Sequence, residues 1–389
     1  MSKLELEPEA LHRVLDGHEI QKYDLLDIAS DFKNNSKFVF RTSEKLRNKS
    51  KGNIVSFSKK SFFNIINLCR DTCSYCTYKS EINESKLSMM EPNDVIRLAK
   101  LSKKHHCTEA LLVTGERPEQ KYKDAKFWLK KNHFTSTAEY LAHCCELILK
   151  EGVFPHTNAG NLTKDEMREL GKTNVSMGLM LENVSDRLRQ KDMPHEAAPS
   201  KDPDVRLGIL CNAGELKIPM TTGILIGIGE TFDEIIDSIF AIKKIQKKFG
   251  HIQEIILQNF HPKPDTAMHD SQTPEDLYFK MTVAFCRIIM PDSNIQIPPN
   301  LSLNSYHEFL SVGVNDWGGI SPITSDYVNP EFSWPNIEHV EKKCNKFNFK
   351  LKARFPVYPE YLPLVNNELS QKISLIADAD NYVKEDYWR

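Results

Sequence analysis

Cys69, Cys73 and Cys76 lie in the run Asn67-Leu68-Cys69-Arg70-Asp71-Thr72-Cys73-Ser74-Tyr75-Cys76-Thr77-Tyr78, with the spacing C-x3-C-x2-C. Four thiolates close a [4Fe–4S] cluster. Three leave one iron able to take another ligand, the distinction that separates open from closed metal sites. Chance would place roughly 0.005 such triplets in a chain of this cysteine content. The run therefore reads as a site where a molecule binds a cluster and receives an electron. Zinc, or three buried thiols, is the competing reading, and it is weakened because no fourth ligand follows nearby.

Other residues could hold the molecule bound at that iron. Gly115, in Thr114-Gly115-Glu116, permits close backbone approach, and the Glu116 carboxylate could accept from an ammonium group. Asn158, in His156-Thr157-Asn158-Ala159-Gly160, could hydrogen-bond a ribose or a carboxylate. Ser176 and Glu182 bracket another apolar run, Glu182 being the better acceptor for a diol. Gly223, Gly227 and Ile228, in the run Gly223-Ile224-Leu225-Ile226-Gly227-Ile228-Gly229-Glu230, could offer backbone groups to a flat ring. That run lacks the G-x-G-x-x-G order of a dinucleotide fingerprint. Two polar–aromatic stretches, Gln258 to Pro264 and Asn315 to Pro322, suit a ring-bearing substrate. Within them His261, Asp316 and Trp317, with Tyr75 beside the last cysteine, are the candidate substrate-side residues. Taken singly, each segment could be a turn or a packing feature. Taken together, they match S-adenosyl-L-methionine: amino and carboxylate groups on iron, ribose on carboxamide or carboxylate, adenine against backbone.

The elements that must position these residues alternate. Eight β-rich runs, at 62–68, 110–114, 153–158, 175–181, 221–227, 254–260, 293–297 and 314–318, are separated by helical segments. Start signals such as Thr163-Lys164-Asp165-Glu166 and Thr273-Pro274-Glu275-Asp276 precede several of those helices. Eight β–α repeats predict an α/β fold, a (β/α)8 TIM-type barrel with its chemistry on the loops after the strands. The cysteines directly follow the first strand. Residues 1–60 read as a helical extension, with 41–60 a basic connector. Residues 61–344 read as the barrel, and 345–389 as an irregular tail packed on it, interrupted by Pro356, Pro359 and Pro363. The chain has 389 residues and a net charge of −2, so nothing points to nucleic acid or an acidic membrane surface. No apolar run is long enough to span a bilayer, and the acidic, polar start does not suit a secretory signal. Nine cysteines in a chain this long do not make a disulfide framework; a reducing, cytoplasmic setting is expected. The vicinal pair Cys144-Cys145 is expected in the core of a helix over 136–150.

With these residues in view, the chain resembles the radical S-adenosylmethionine superfamily. The strings NLCRDTCSYCTY, PHTNAGNLT, SMGLMLE, KIPMTTGILIGIGET, LQNFHPKP, PPNLS and NDWGGISPITSDYVNPE resemble, more closely, the CofG-type subunits of FO synthase. Those subunits take part in coenzyme F420 biosynthesis. The resemblance implies that Gly115 and Glu116 bind the methionine amino end and that Gly223 to Glu230 line the adenine. It implies a lyase that acts on a hydroxybenzyl–ribityl–uracil adduct, closing a ring and releasing ammonia. It also implies a tyrosine-coupling partner subunit and a low-potential electron donor. The rival readings are another radical enzyme, such as that partner subunit, and a non-catalytic iron–sulfur or zinc protein.

Overall fold

In the computed structural model, which describes residues 7–389, eight parallel strands close into a barrel. They are β1 (Ile54–Ile66), β2 (Glu109–Thr114), β3 (Phe154–Asn158), β4 (Ser176–Gly178), β5 (Met220–Ile226), β6 (Ile252–Asn259), β7 (Ile295–Gln296) and β8 (Asp316–Ile320). Each pairs with its successor, and β1 pairs with both β8 and β2. Closure leaves these strands no free edge along their paired lengths. Helices between the strands cover the outside with apolar faces; Phe232–Phe249 buries Ile235, Ile236, Ile239, Ile242 and Ile245 against it. No helix among the described residues is long and apolar enough to cross a membrane.

Three helices precede the barrel: α1 (Glu9–Leu15), α2 (Lys22–Ala29) and α3 (Phe32–Lys51). The stretch 41–60 is the end of α3 and the first half of β1, not a connector. Its helical stripe is narrow: α3 buries only Val39, Thr42, Ser43, Leu46 and Arg47, so its composition reads as polar. Arg47 is wholly buried without a carboxylate partner and donates instead to the carbonyls of Ile54 (2.6 Å) and Val314 (3.2 Å). Burial pulls its guanidinium down to about 10.

Residues 345–389 pack on the barrel and add a ninth strand, β9 (Lys350–Arg354), parallel to the first half of β1. The residues that follow seal the bottom of the barrel. Arg354 reaches Asp316 (2.8 Å) and Glu254 (2.7 Å), the Tyr358 hydroxyl donates to Glu254 (2.9 Å), and Gln253 Nε2 donates to the Pro356 carbonyl (3.0 Å). The barrel is therefore open only at the carboxyl ends of its strands. All nine cysteines are free; five outside the triplet are buried and Cys211 is partly so.

Candidate radical active site

The loop that leaves β1 is tied down before it reaches its cysteines. Asn67 accepts from Ser88 N (2.7 Å) and donates to Lys86 O (2.8 Å), and Arg70 N donates to Glu116 O (2.8 Å). Further on, Thr72 N donates to Ala197 O (2.8 Å), Ser74 N to Pro194 O (2.9 Å), and Ser74 O accepts from Met268 N (3.1 Å). Four parts of the chain thus hold one short loop. Gly115 sits beneath it: a Cβ there would lie 2.0 Å from Leu68 O and 2.8 Å from Cys69 Cα, so only glycine lets β2 pass this close. Glu116 N donates to Cys69 Sγ at 3.2 Å.

Burial pushes the Cys69 thiol up to about 11 and Cys73 up to about 12. Thiolates here need a cation on them, and a bound metal deprotonates its thiols outright. Among the described residues no three His, Cys, Asp or Glu side chains are gathered as around a single ion. A four-iron cluster places each thiolate on a different iron and so draws its ligands together less tightly. Three cysteines on one tethered loop, with Cys76 opening on the adjoining cavity, are a donor set that fits such a cluster.

Below the loop lies a cavity of about 1230 Å³, its open mouth included, with Cys76 and Tyr75 on its wall. Asn158, Glu182 and His261 line the same cavity. Glu116 is buried beside the cysteines; its Oε2 accepts from Asn161 N (2.9 Å), while Oε1 has no partner. Burial raises its carboxyl above the usual range. An orphaned acceptor there suits an incoming ammonium group. Glu182 is held by Lys201 at 2.6 Å. Burial alone would raise its carboxyl, but Lys201 and Arg206 keep it below the ordinary value. Gly227 N and Ile228 N both donate to the Glu230 carboxylate (2.8 and 2.9 Å). That turn directs Ile228 into an apolar cluster with Leu188, Leu225 and Phe260, against which Tyr75 packs. Leu225 and Phe260 continue it into the cavity wall. Gly223 does not line the cavity; its missing side chain lets β5 meet Ile256 O and Met180.

Three further expected site residues also lie elsewhere. Asp316 lies at the bottom of β8, where Ser56 and Arg354 engage it. Trp317 faces outward and donates to Cys344 Sγ (3.4 Å). Ser176 opens β4 and meets His156 Nδ1 (2.7 Å) and the Pro356 carbonyl. The eighth strand runs two residues later than the sequence reading places it, so Asp316 and Trp317 enter the barrel at its sealed end. None of the three lines the cavity.

His195 went unread in the sequence. Its Nε2 is 2.9 Å from the Tyr75 hydroxyl. Burial, with Lys201 nearby, pushes the imidazole down to about 3, while burial raises the phenol well above its usual range. Both are neutral, and a single hydrogen bond joins the phenol to the ring nitrogen. Lys201 and Arg206 were also unread. The one available signal was the length of the connection 183–202, long for a barrel loop and so a place to look for function.

Comparison with known proteins follows the same lines. The model of the Radical SAM superfamily matches residues 63–242. The chain is 42% identical over 334 residues to a 7,8-didemethyl-8-hydroxy-5-deazariboflavin synthase of Methanopyrus kandleri, covering 85% of this chain and 100% of that one. It is 41% identical over 339 residues to the synthase of that name from Methanocaldococcus jannaschii, covering 87% and 92%. In fold it is similar to methylornithine synthase PylB (TM-score 0.69, 17% identity, 88% of this chain and 97% of that one). It is likewise similar to the FeFe-hydrogenase maturase HydG of Carboxydothermus hydrogenoformans (TM-score 0.72, 20% identity, 98% and 91%).

Proposed function

Since this chain belongs to the radical SAM superfamily and, within it, to the 7,8-didemethyl-8-hydroxy-5-deazariboflavin synthases, we propose that it completes that deazaflavin. It does so by hydrogen abstraction from a hydroxybenzyl–ribityl–uracil adduct, ring closure and ammonia loss. The observation that carries this reading is the 42% identity across the whole length of a curated synthase. When bound, the [4Fe–4S] cluster and S-adenosyl-L-methionine supply a low-potential electron and a carbon radical strong enough to take hydrogen from carbon.

The chain's own residues bind, orient and exclude. Cys69, Cys73 and Cys76 hold the cluster. Gly115 keeps β2 against the cysteine loop, and Glu116 Oε1 accepts from the methionine ammonium. Asn158 and Glu182 take the ribose, with Lys201 keeping Glu182 ionised. The Gly227–Ile228 turn and the apolar wall of Leu225 and Phe260 take the adenine. Tyr75, locked onto His195, fixes the wall beside Cys76. His261 faces the substrate side, its Nε2 3.0 Å from the Leu301 carbonyl. The closed floor keeps water and stray hydrogen donors from the reacting carbon. The adduct comes from a tyrosine-coupling partner subunit, and the setting is cytoplasmic, in keeping with nine unpaired thiols.

The test is an anaerobic assay with reductant, S-adenosyl-L-methionine and the preformed adduct, following fluorescent deazaflavin. Deazaflavin from the adduct, and none from tyrosine plus the ribityl diaminouracil, is expected; release of the adduct from tyrosine plus the ribityl diaminouracil, with no deazaflavin from the adduct, would assign the coupling role. Cys73→Ala is expected to abolish cluster colour and methionine release together.

A further inference from the structure

Two side chains build the inner end of the cavity and have no part in the reading above. Lys60 of β1 and Gln296 of β7 both line it. Each is admitted by a glycine of β8. A Cβ on Gly319 would lie 1.1 Å from Lys60 Cε, and a Cβ on Gly318 would lie 2.1 Å from Gln296 Nε2. Gly318 also has φ +63°, at a bulge where two residues of β8, Trp317 and Gly318, oppose Phe57 of β1. The glycine pair in Asp316-Trp317-Gly318-Gly319 thus gives up two side chains of β8 so that two longer polar ones from neighbouring strands can enter.

Their surroundings leave specific groups on offer. Gln296 is 4% exposed and its Oε1 is buried with no hydrogen-bond partner, a condition that folded chains seldom carry without a ligand to relieve it. Lys60 Nζ is 3.3 Å from Glu109 Oε1, and the other oxygen of Glu109 accepts from Ser58. One of three ammonium donors is thereby spent, and two remain. Phe62, whose ring centroid is 5.3 Å from Lys60 Nζ, stacks on Trp334 with 5.3 Å between centroids and 19° between planes. Leu111, Val113 and Ile256 complete an apolar slot. The slot favours a flat ring with one N–H donor flanked by carbonyls. A carboxylate or phosphate would answer Lys60 but would set a second acceptor against Gln296 Oε1 and stand near Glu109.

We propose that Gln296 and Lys60 are the specificity residues for the pyrimidine-dione end of the substrate. Gln296 Oε1 accepts the imide N–H, its Nε2 donates to one flanking carbonyl, and Lys60 donates to the other. The hydroxybenzyl end then points to the wall that carries Cys76 and Tyr75. This assignment rests on the deazaflavin reading and adds to it which end of the adduct enters first.

The test is equilibrium dialysis of the reconstituted full-length protein, without oxygen, against the adduct and against its imide-N-methyl analogue. Methylation is expected to weaken binding to the native protein at least tenfold. Gln296→Leu should weaken the adduct at least tenfold and show no further loss on methylation. Lys60→Met should weaken both compounds while keeping the methylation effect. Iron content and the circular dichroism spectrum confirm that each variant folds; the native protein with two ligands tests the idea even if one does not. If the native protein binds both compounds equally, or if methylation costs Gln296→Leu as much as native, the assignment is wrong. If the native protein makes deazaflavin yet ignores methylation, only the floor assignment falls. If it neither binds the adduct nor makes deazaflavin, both readings fall.

Discussion

Glu116 and Asp316 are both buried carboxylates, and their partners separate their roles. Glu116 leaves one oxygen unengaged beside the cysteines, whereas Asp316 accepts from Ser56, Arg354 and Gly318 N. Replacing a charge-assisted bond by a neutral one costs about 1–2 kcal/mol. Glu116→Gln should therefore raise KM for S-adenosyl-L-methionine about tenfold, with iron content unchanged. Asp316→Asn should do the opposite, lowering the unfolding temperature while KM stays as it was. The contrast also shows what a sequence can display. Cys69, Cys73 and Cys76 fall in one loop, so their meaning is carried by spacing alone. The standing of Asp316 depends on where β8 begins and on the bulge at Gly318, neither of which local pattern reveals. His195 reaches Tyr75 across 120 residues, a separation over which no motif extends.

At the scale of elements, periodicity located all eight barrel strands, even β4 with three residues and β7 with two. Most strand ends agree to within about two residues, but β1 begins eight residues ahead of its apolar run and β4 ends three short of its own, and a polar helix such as α3 is lost to its composition. The helix Lys123–Lys131 is packed on its neighbours: its Trp128 donates to Glu91 (3.0 Å) and meets the Tyr140 ring edge-on. The connection after β4 is fastened to the helix Phe232–Phe249 by one carboxylate. Glu234 accepts from Arg187 Nε (2.9 Å) and Nη2 (2.7 Å), from Ser185 (2.5 Å) and from Thr231 N (2.7 Å). The Arg187 bonds, ahead of the others, hold its carboxyl down to about 2 from an ordinary 4.5. A depressed value stabilises the fold above pH 4.5 and loses that contribution as pH falls toward 2. Glu234→Gln should thus lower stability by about 1 kcal/mol at neutral pH, allowing for solvent screening. The gap to the native protein should close between pH 4.5 and 2 in urea titrations.

At the scale of the molecule, the barrel depends on a part of the chain that follows it. Arg354 neutralises Asp316 and Glu254 inside the floor. Removing it strands two buried carboxylates, so Arg354→Met should cost about 3–5 kcal/mol and be read as a large fall in the thermal unfolding midpoint. The same tail pairs β9 with the first half of β1 and brings the Trp388 carbonyl to Lys59 Nζ at 2.8 Å. Those partners are made roughly 300 residues apart, which at ordinary elongation rates is about 15–60 s of translation. Throughout that interval the nascent first strand leaves the ribosome with one flank bare and adhesive to other strands. Production of this protein should therefore depend on chaperone capacity more than its finished stability suggests, and slowing initiation or cooling the culture should recover more of it than changing any surface residue.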